Sequence, residues 1–481
     1  MHSIAAMIMN HASSRKVDYA DVRVIRRTTE SISVRNEIPE SVEVSETFGV
    51  GVRVFVDGRW GFAATDDIVH DRLDGLVERA ILGAKAAAVA GGPKEHFDPP
   101  PAVTATHASF CEVDPQSVSL EEKLSMLTAC TRIMGGEKSV EQCEATMDAW
   151  HEVKVFYSTL GSQIEQSSTV CGAGISAGAL ARGDMQVRSY PNSFRGNFAR
   201  AGYEFIDAMR LDDNAAQTAA EAAALLRAPM CPDLPEADLI IGGSQLALQI
   251  HESVGHAIEF DRILGYEASF AGTSFLQPSD VGHRIYGAPI MNVTADATLP
   301  HGLGSFHYDD DGYLSVRDVI VDSGRLVGVL TSAGIAHVLD RRSNACMRAE
   351  GWNHFPIIRM TNVNLEPGEA GSLEDLIADT SHGYLLETNK SWSIDDKRLN
   401  FQFATELAVE IRDGKRGRLF RNPIYSGMTP AFWASCDAIC GPSEWQLWGV
   451  TNCGKGEPMQ VAQVSHGCAP ARFRKQRLWG A

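Results

Sequence analysis

Alternation of apolar and polar positions marks residues 20–25, 31–35 and 41–45 as half-buried strands. The alternation continues through residues 49–56 and 59–62 on either side of Asp57-Gly58, a dipeptide that supplies the positive φ of a tight hairpin turn. The period then changes. Helical spacing runs from Asp71 to Ala90 and ends at Gly91-Gly92, while Ser119 and Glu122 form a capping box opening a helix that stops at Gly135-Gly136. Strand-like segments return between Val153 and Arg188. An Ala-rich helical stretch from Tyr203 to Arg227 is interrupted near Leu211-Asp212-Asp213-Asn214, and the residues after Met1 read as a short first helix.

Pro229, Pro232 and Pro235 fix φ and remove backbone donors, which places a domain boundary there. The pattern thus predicts an α+β protein with an N-terminal α/β domain over 1–228 and a β-rich C-terminal domain over 229–481. The second domain opens with an apolar strand over 237–241, then Gly242-Gly243, with Ser244 as the expected N-cap of a helix. On that helix Leu246, Ile250 and Val254 recur every four residues. Further strands are expected over 313–321, 328–331, 401–411 and 418–420, with turns at Asp311-Gly312, Ser323-Gly324 and Asp413-Gly414.

The same helix carries His251-Glu252-Ser253-Val254-Gly255-His256. Two imidazoles with a carboxylate beside the first are the core of a hydrolytic zinc site, the carboxylate taking a proton from the activated water. The zinc-peptidase form, H-E-x-x-H, stacks its histidines on one helical face. Here they are five apart, which on an ideal helix separates them by about 140°. One metal joins them only if a π-turn widens the repeat, and Gly255 is a residue type that permits such a distortion. The competing reading is a hydrogen-bonded pair on a half-buried helix, since fifteen histidines make close pairs common.

Two residues compete as third ligand. Glu259 projects between the histidines when azimuths are drawn on a straight helix, but it also reads as an exposed carboxylate or a partner of one imidazole. Cys453 lies in the Gly-rich stretch Thr451-Asn452-Cys453-Gly454-Lys455-Gly456, where Lys455 favours a thiolate. Taken alone, that cysteine reads as an inert thiol rather than a ligand. A rival structural site would gather Cys436, Cys440, Cys453 and His466 or Cys468, although the aromatic surroundings suit buried thiols better. The acidic run Asp309-Asp310-Asp311 lacks the spacing of a calcium loop and reads as a hairpin turn. Gly174-Ile175-Ser176-Ala177-Gly178 fits G-x-S-x-G, yet no helix follows, so a Gly-rich strand is the better account.

Composition narrows the function. With 44% hydrophobic and 22% charged residues the chain is an ordinary globular protein, and its net charge of −18 argues against nucleic-acid binding. No apolar run is long enough for a membrane helix, and the N-terminus lacks the basic region of a signal peptide. Ten scattered cysteines do not form a secreted disulfide framework. The cytoplasm is the expected compartment.

Taken together, the histidine word, Glu259-Phe260-Asp261, Cys453-Gly454-Lys455-Gly456, Gly49-Val50-Gly51-Val52-Arg53-Val54, Arg359-Met360-Thr361-Asn362, Pro367-Gly368 and Ser465-His466-Gly467 resemble the TldD/PmbA family of metallopeptidases. The resemblance spans nearly the whole chain. It implies that His251, His256 and Cys453 bind zinc and that Glu252 is the catalytic carboxylate. It further implies a dimer, either of like subunits or with a metal-free PmbA-type paralogue, enclosing sites that act on unfolded or short peptides. Glu457 stands where many relatives carry Gln, a departure that bears on the pocket beside the thiolate. The strand-rich second half suggests that the peptide is held as an added β-strand. A zinc amidase or deformylase-like hydrolase of small amides, and a non-catalytic scaffold subunit, are the alternatives. His283, His301, His307 and Arg359 are available to stabilise an oxyanion.

Overall fold

The computed structural model describes residues 1–91, 94–270 and 272–481; Gly92, expected at the end of the second helix, lies outside them. An eight-stranded sheet dominates the N-terminal half, in the order Arg59–Thr65, Ile38–Val56, Tyr19–Arg35, Val140–Ser158, Gln163–Ala181, Thr104–Ala108. Asp184–Tyr190 and Asn197–Ala199 also pair with Gln163–Ala181. The short strands expected over 20–25 and 31–35 are the two ends of one strand of 17 residues. Val22 and Val24 at one end join a core covered by helices His2–Ser13 and His70–Ala90. Ile32 and Val34 at the other join a core under Leu120–Met134 and Leu211–Arg227. Between them the strand stays extended but turns polar, because Arg27 reaches Glu152 across the sheet instead of entering a core.

Ser119 is the N-cap, its Oγ accepting from Glu122 N at 3.1 Å, which is one half of the expected capping box. The helical break falls at Arg210, in the left-handed region at φ 50°, between Glu204–Met209 and Leu211–Arg227. Ser176 lies mid-strand, opposite Ser189 and Glu144, as the strand reading required. Around Asp309-Asp310-Asp311 a hairpin turn forms, with Asp309 N donating to Tyr313 O at 2.9 Å.

In the C-terminal half, Leu234–Ile241, Ala471–Gly480, Pro423–Met428, Asn400–Arg412 and His382–Ile394 pair in sequence, and the last returns to the first through a parallel ladder. The result is a closed barrel packed with Phe401, Phe403, Tyr425, Phe432 and Phe473. Helix Gly243–Ile250 is buried on every side beside it. Its polar positions meet the barrel's own polar groups: Gln245 Nε2 donates to the Tyr425 hydroxyl at 2.9 Å, which donates to Gln249 Oε1 at 3.0 Å. Ser244 is not the cap; the helix starts two residues earlier than expected, at Gly243, with Gly242 at the N-cap. Residues 328–331 form only a single bridge, Leu330 to Glu259, and the strand expected over 313–321 is confined to Arg317–Asp322.

Candidate metal centre

The helix does widen where the histidine spacing required it. A π-turn spans His251–Gly255, and His256 N donates to His251 O at 3.1 Å. Ser253 supplies a local cause. Its hydroxyl donates back to Gln249 O at 2.6 Å and accepts from Trp433 Nε1 at 2.9 Å, while the Tyr286 hydroxyl donates to Ser253 O at 2.6 Å. Backbone groups displaced by the extra residue therefore keep partners, which is what a buried π-turn needs. Gly255 contributes differently from the sequence-based expectation. It has no positive φ; instead a Cβ there would sit 2.1 Å from Met360 Sδ.

With the turn in place, the two rings lie 4.8 Å apart and nearly perpendicular. Hydrogen bonds fix their tautomers. His466 Nδ1 donates to Val363 O at 2.8 Å, so His466 Nε2 accepts, and His251 Nδ1 donates to it at 2.8 Å. His256 Nδ1 donates to Glu259 Oε2, also at 2.8 Å. In both rings Nε2 is left with a lone pair. Burial holds the imidazoles neutral, pushing His251 down to about 4 and His256 and His466 in the same direction.

Cys453 arrives on the hairpin of Gln446–Lys455 and Gln460–Cys468, opposite Ala462 and beside a bulge. Its Sγ lies 3.5 Å from His256 Nε2. Burial pushes the thiol up, but His256 and Arg359 outweigh it and the net shift is downward. Lys455 is not the cause, contrary to expectation: its ammonium donates to both Asp261 oxygens at 2.8 and 2.9 Å and to Ile358 O at 2.8 Å. It also stands 3.3 Å from Glu259 Oε1. Burial opposes ionisation of Glu259, yet Lys455, His256 and Arg262 hold its carboxyl well below the usual range. Glu259 therefore orients an imidazole and is occupied in doing so.

Glu252 is buried beside His251, and both its oxygens are bonded. Trp392 Nε1 donates to Oε1 at 2.9 Å and Arg398 Nη1 to Oε2 at 2.5 Å. Phe194 stacks edge-on against Trp392. Sequence reasoning singled out neither Trp392 nor Arg398, and it placed His466 in a rival structural site and in a segment of the family resemblance without giving it this role. That rival site does not assemble: among the described residues His251, His256 and Cys453 form the one group of three metal-ligating side chains, their ligand atoms all within 4.8 Å. Burial pushes the Cys436 and Cys440 thiols up to about 12, and that of Cys468 higher still. Arg359 donates to the carbonyls of Gln460 and Cys453. His301 and His307 line a different cavity with His107, and His283 is exposed. Glu457 accepts from Ser269 Oγ at 2.8 Å.

The donor set fits zinc. Two neutral imidazole nitrogens and a thiolate-prone sulfur converge, each imidazole is locked by its other nitrogen, and a zinc held by these three side chains would keep a fourth position for water.

Three models of the PmbA/TldA metallopeptidases match the sequence: domain 1 over residues 20–84, the central domain over 113–228 and the C-terminal domain over 236–476. A metalloprotease of Methanocaldococcus jannaschii is 28% identical, over 91% of this chain and 92% of its own length. A zinc metalloprotease TldD homolog of Saccharolobus solfataricus is 21% identical, over 96% of each chain. Among solved structures, a putative modulator of a DNA gyrase from Thermotoga maritima superposes with a TM-score of 0.76 at 16% identity, covering 99% of each chain. TldE from Thermococcus kodakarensis does so at 0.73 and 15%, covering 100% of each.

Proposed function

The chain belongs to the PmbA/TldD metallopeptidase family, and on that premise we propose that it is a zinc peptidase of the TldD type, cutting unfolded or short peptides. His251, His256 and Cys453 are the ligands in this reading and Glu252 the catalytic carboxylate. One observation carries it: both imidazoles are tautomer-locked with Nε2 free, and Cys453 lies within 4.8 Å of them. The names of the metalloprotease relatives support the activity, and that of the zinc metalloprotease TldD homolog supports the metal.

When bound, zinc supplies a Lewis acid and lowers the pKa of water at the position the ligands leave open. Glu252 takes the proton of the attacking water and returns it to the leaving amine. Trp392 and Arg398 fix the direction of its two oxygens, so the carboxylate is positioned before substrate arrives. The peptide lies as an added strand, held through main-chain bonds with little side-chain selectivity. The reading extends to the assembly, a homodimer or a pair with a metal-free PmbA-type paralogue enclosing the site. No helix among the described residues is long and apolar enough to cross a membrane, and the cytoplasm is the proposed compartment.

Glu252→Gln tests the mechanism. The variant should keep one zinc per chain by elemental analysis and lose cleavage of an unfolded protein. Unchanged cleavage, or zinc lost with the carboxylate, contradicts the role given to Glu252.

A further inference from the structure

A cavity of ≈ 260 Å³ lies between the N-terminal sheet and the hairpin that carries Cys453. Thr451 and Ala462 line it from the hairpin's two strands, and Ala462 is the residue paired with Cys453. Its other walls are charged, and the charges are unequally matched. Arg27 donates twice to Glu152, at 2.9 and 2.6 Å. Lys154 donates to Asp310 at 2.6 Å, and Glu350 accepts from Val461 N at the same distance.

Two guanidinium groups remain. Arg348 donates only to carbonyls, those of Met360 at 2.9 Å and Gln463 at 2.8 Å. Arg200 makes one long bond, to Leu303 O at 3.5 Å, and its buried Nε has no partner. Among the described residues neither has a carboxylate within 4.0 Å. Burial pushes both down to about 10, and each stays cationic at neutral pH. Arg200 and Arg359 push Arg348 further down against the charge of Asp310, and Glu152 works against the shift of Arg200. Desolvated cations with no carboxylate bonded to them are costly even with Glu152 and Asp310 in the same cavity, and a planar carboxylate is the anion the guanidinium fork matches.

Resting on the peptidase reading above, we propose that Arg200 and Arg348 form a subsite for the free C-terminal carboxylate of the peptide substrate. Position supports the chain end as the source of that carboxylate. Thr451 lies two residues before Cys453, roughly 7 Å along an extended strand. A peptide anchored here and extended along the hairpin crosses the metal centre within about two or three residues of its end. The protein then trims peptides near the C-terminus, and the subsite selects for a terminus while leaving side chains unread.

Equilibrium binding tests this without turnover. Zinc-loaded full-length Glu252→Gln protein is titrated with one short peptide as the free acid, the same peptide as the carboxamide, and a carboxamide peptide ending in Glu. The acid should bind at least tenfold more tightly than either carboxamide. Adding Arg200→Gln or Arg348→Gln should reduce that preference below twofold, with zinc content and carboxamide affinity unchanged. Equal affinity of acid and carboxamide overturns the inference, as does undetectable binding of all three or a preference that survives both substitutions. A Glu-ending carboxamide that binds as tightly as the acid overturns the assignment to a chain end. Cleavage by the wild-type protein is scored separately: an acid preference in binding with no cleavage defeats the hydrolase reading and leaves the subsite standing.

Discussion

His251 and His256 reach the same state by different partners, one through a neutral imidazole and one through a carboxylate. His466 takes the proton of His251 Nδ1 in a neutral relay that ends on a carbonyl, whereas Glu259 is an ion held by buried Lys455. The two supports should therefore fail differently. His466→Gln is expected to weaken zinc about 10–100-fold in a chelator competition, with little effect on the metal-free fold. Glu259→Gln should weaken zinc to a similar degree and also lower the melting temperature of the metal-free protein, because Lys455 loses one of two carboxylates. Unchanged zinc affinity in both variants removes the relay from the account. The histidine pair, Glu252 and the need for a π-turn were legible because they are local. Cys453 was singled out by resemblance more than by any physical signal. Trp392 and Arg398 left none, and His466 gave no sign of supporting His251, since they come to the site from 140, 146 and 215 residues away. Glu259 was misplaced by drawing a straight helix through it; the chain is extended at Glu259, at φ −69° and ψ 115°.

The π-turn at His251–Gly255 shows how an element can be foreseen for an incomplete reason. Spacing demanded the distortion, and backbone freedom at Gly255 was the obvious licence, but the glycine is there because Met360 fills the space of its side chain. A double substitution separates the two causes. Gly255→Ala should destabilise the protein by about 1–3 kcal/mol through overpacking against a fully buried methionine. Met360→Ala opens a cavity and destabilises on its own. If steric conflict is the cause, the pair together should be more stable than the sum of the single losses predicts, by chemical denaturation. If backbone freedom were needed, the losses would simply add. The long strands teach a similar lesson. Tyr19–Arg35 could not be read as one element because its polar middle breaks the alternation, and that middle carries Arg27 into the charged cavity. Periodicity reports burial against a core, so a strand that crosses from one core to another over a polar site looks like two.

At the scale of the whole molecule, buried ion pairs tie the N-terminal sheet to the C-terminal half. Arg53 binds Asp21 of its own sheet at 2.6 Å and Asp311 across the junction at 3.0 Å, and Lys154 binds Asp310 at 2.6 Å. The acidic run read as a hairpin turn is thus also a set of anchors. Burial opposes the charge on Asp310, but Lys154 and Arg23 prevail and hold its carboxyl down to about 2, below the usual 3.8. A folded-state pKa depressed in this way gives stability that is present above pH 3.8 and lost as the pH falls through about 2. Its size is roughly 2 kcal/mol. Asp309 has the opposite sign, because burial and Asp311 push its carboxyl well up, so it costs stability as the pH rises. The contribution of Asp310 must then be read as a difference. With chelator present at every pH, wild type should exceed Asp310→Asn in unfolding free energy at pH 5, and the gap should shrink steadily towards pH 2. Lys154→Met should cost about 1–3 kcal/mol at neutral pH by taking a charged donor from buried Asp310, which keeps Arg23 and the Ala349 N–H, and less as acid protonates that carboxylate. A gap between wild type and Asp310→Asn that does not change from pH 5 to pH 2 would show that the junction does not depend on this ion pair.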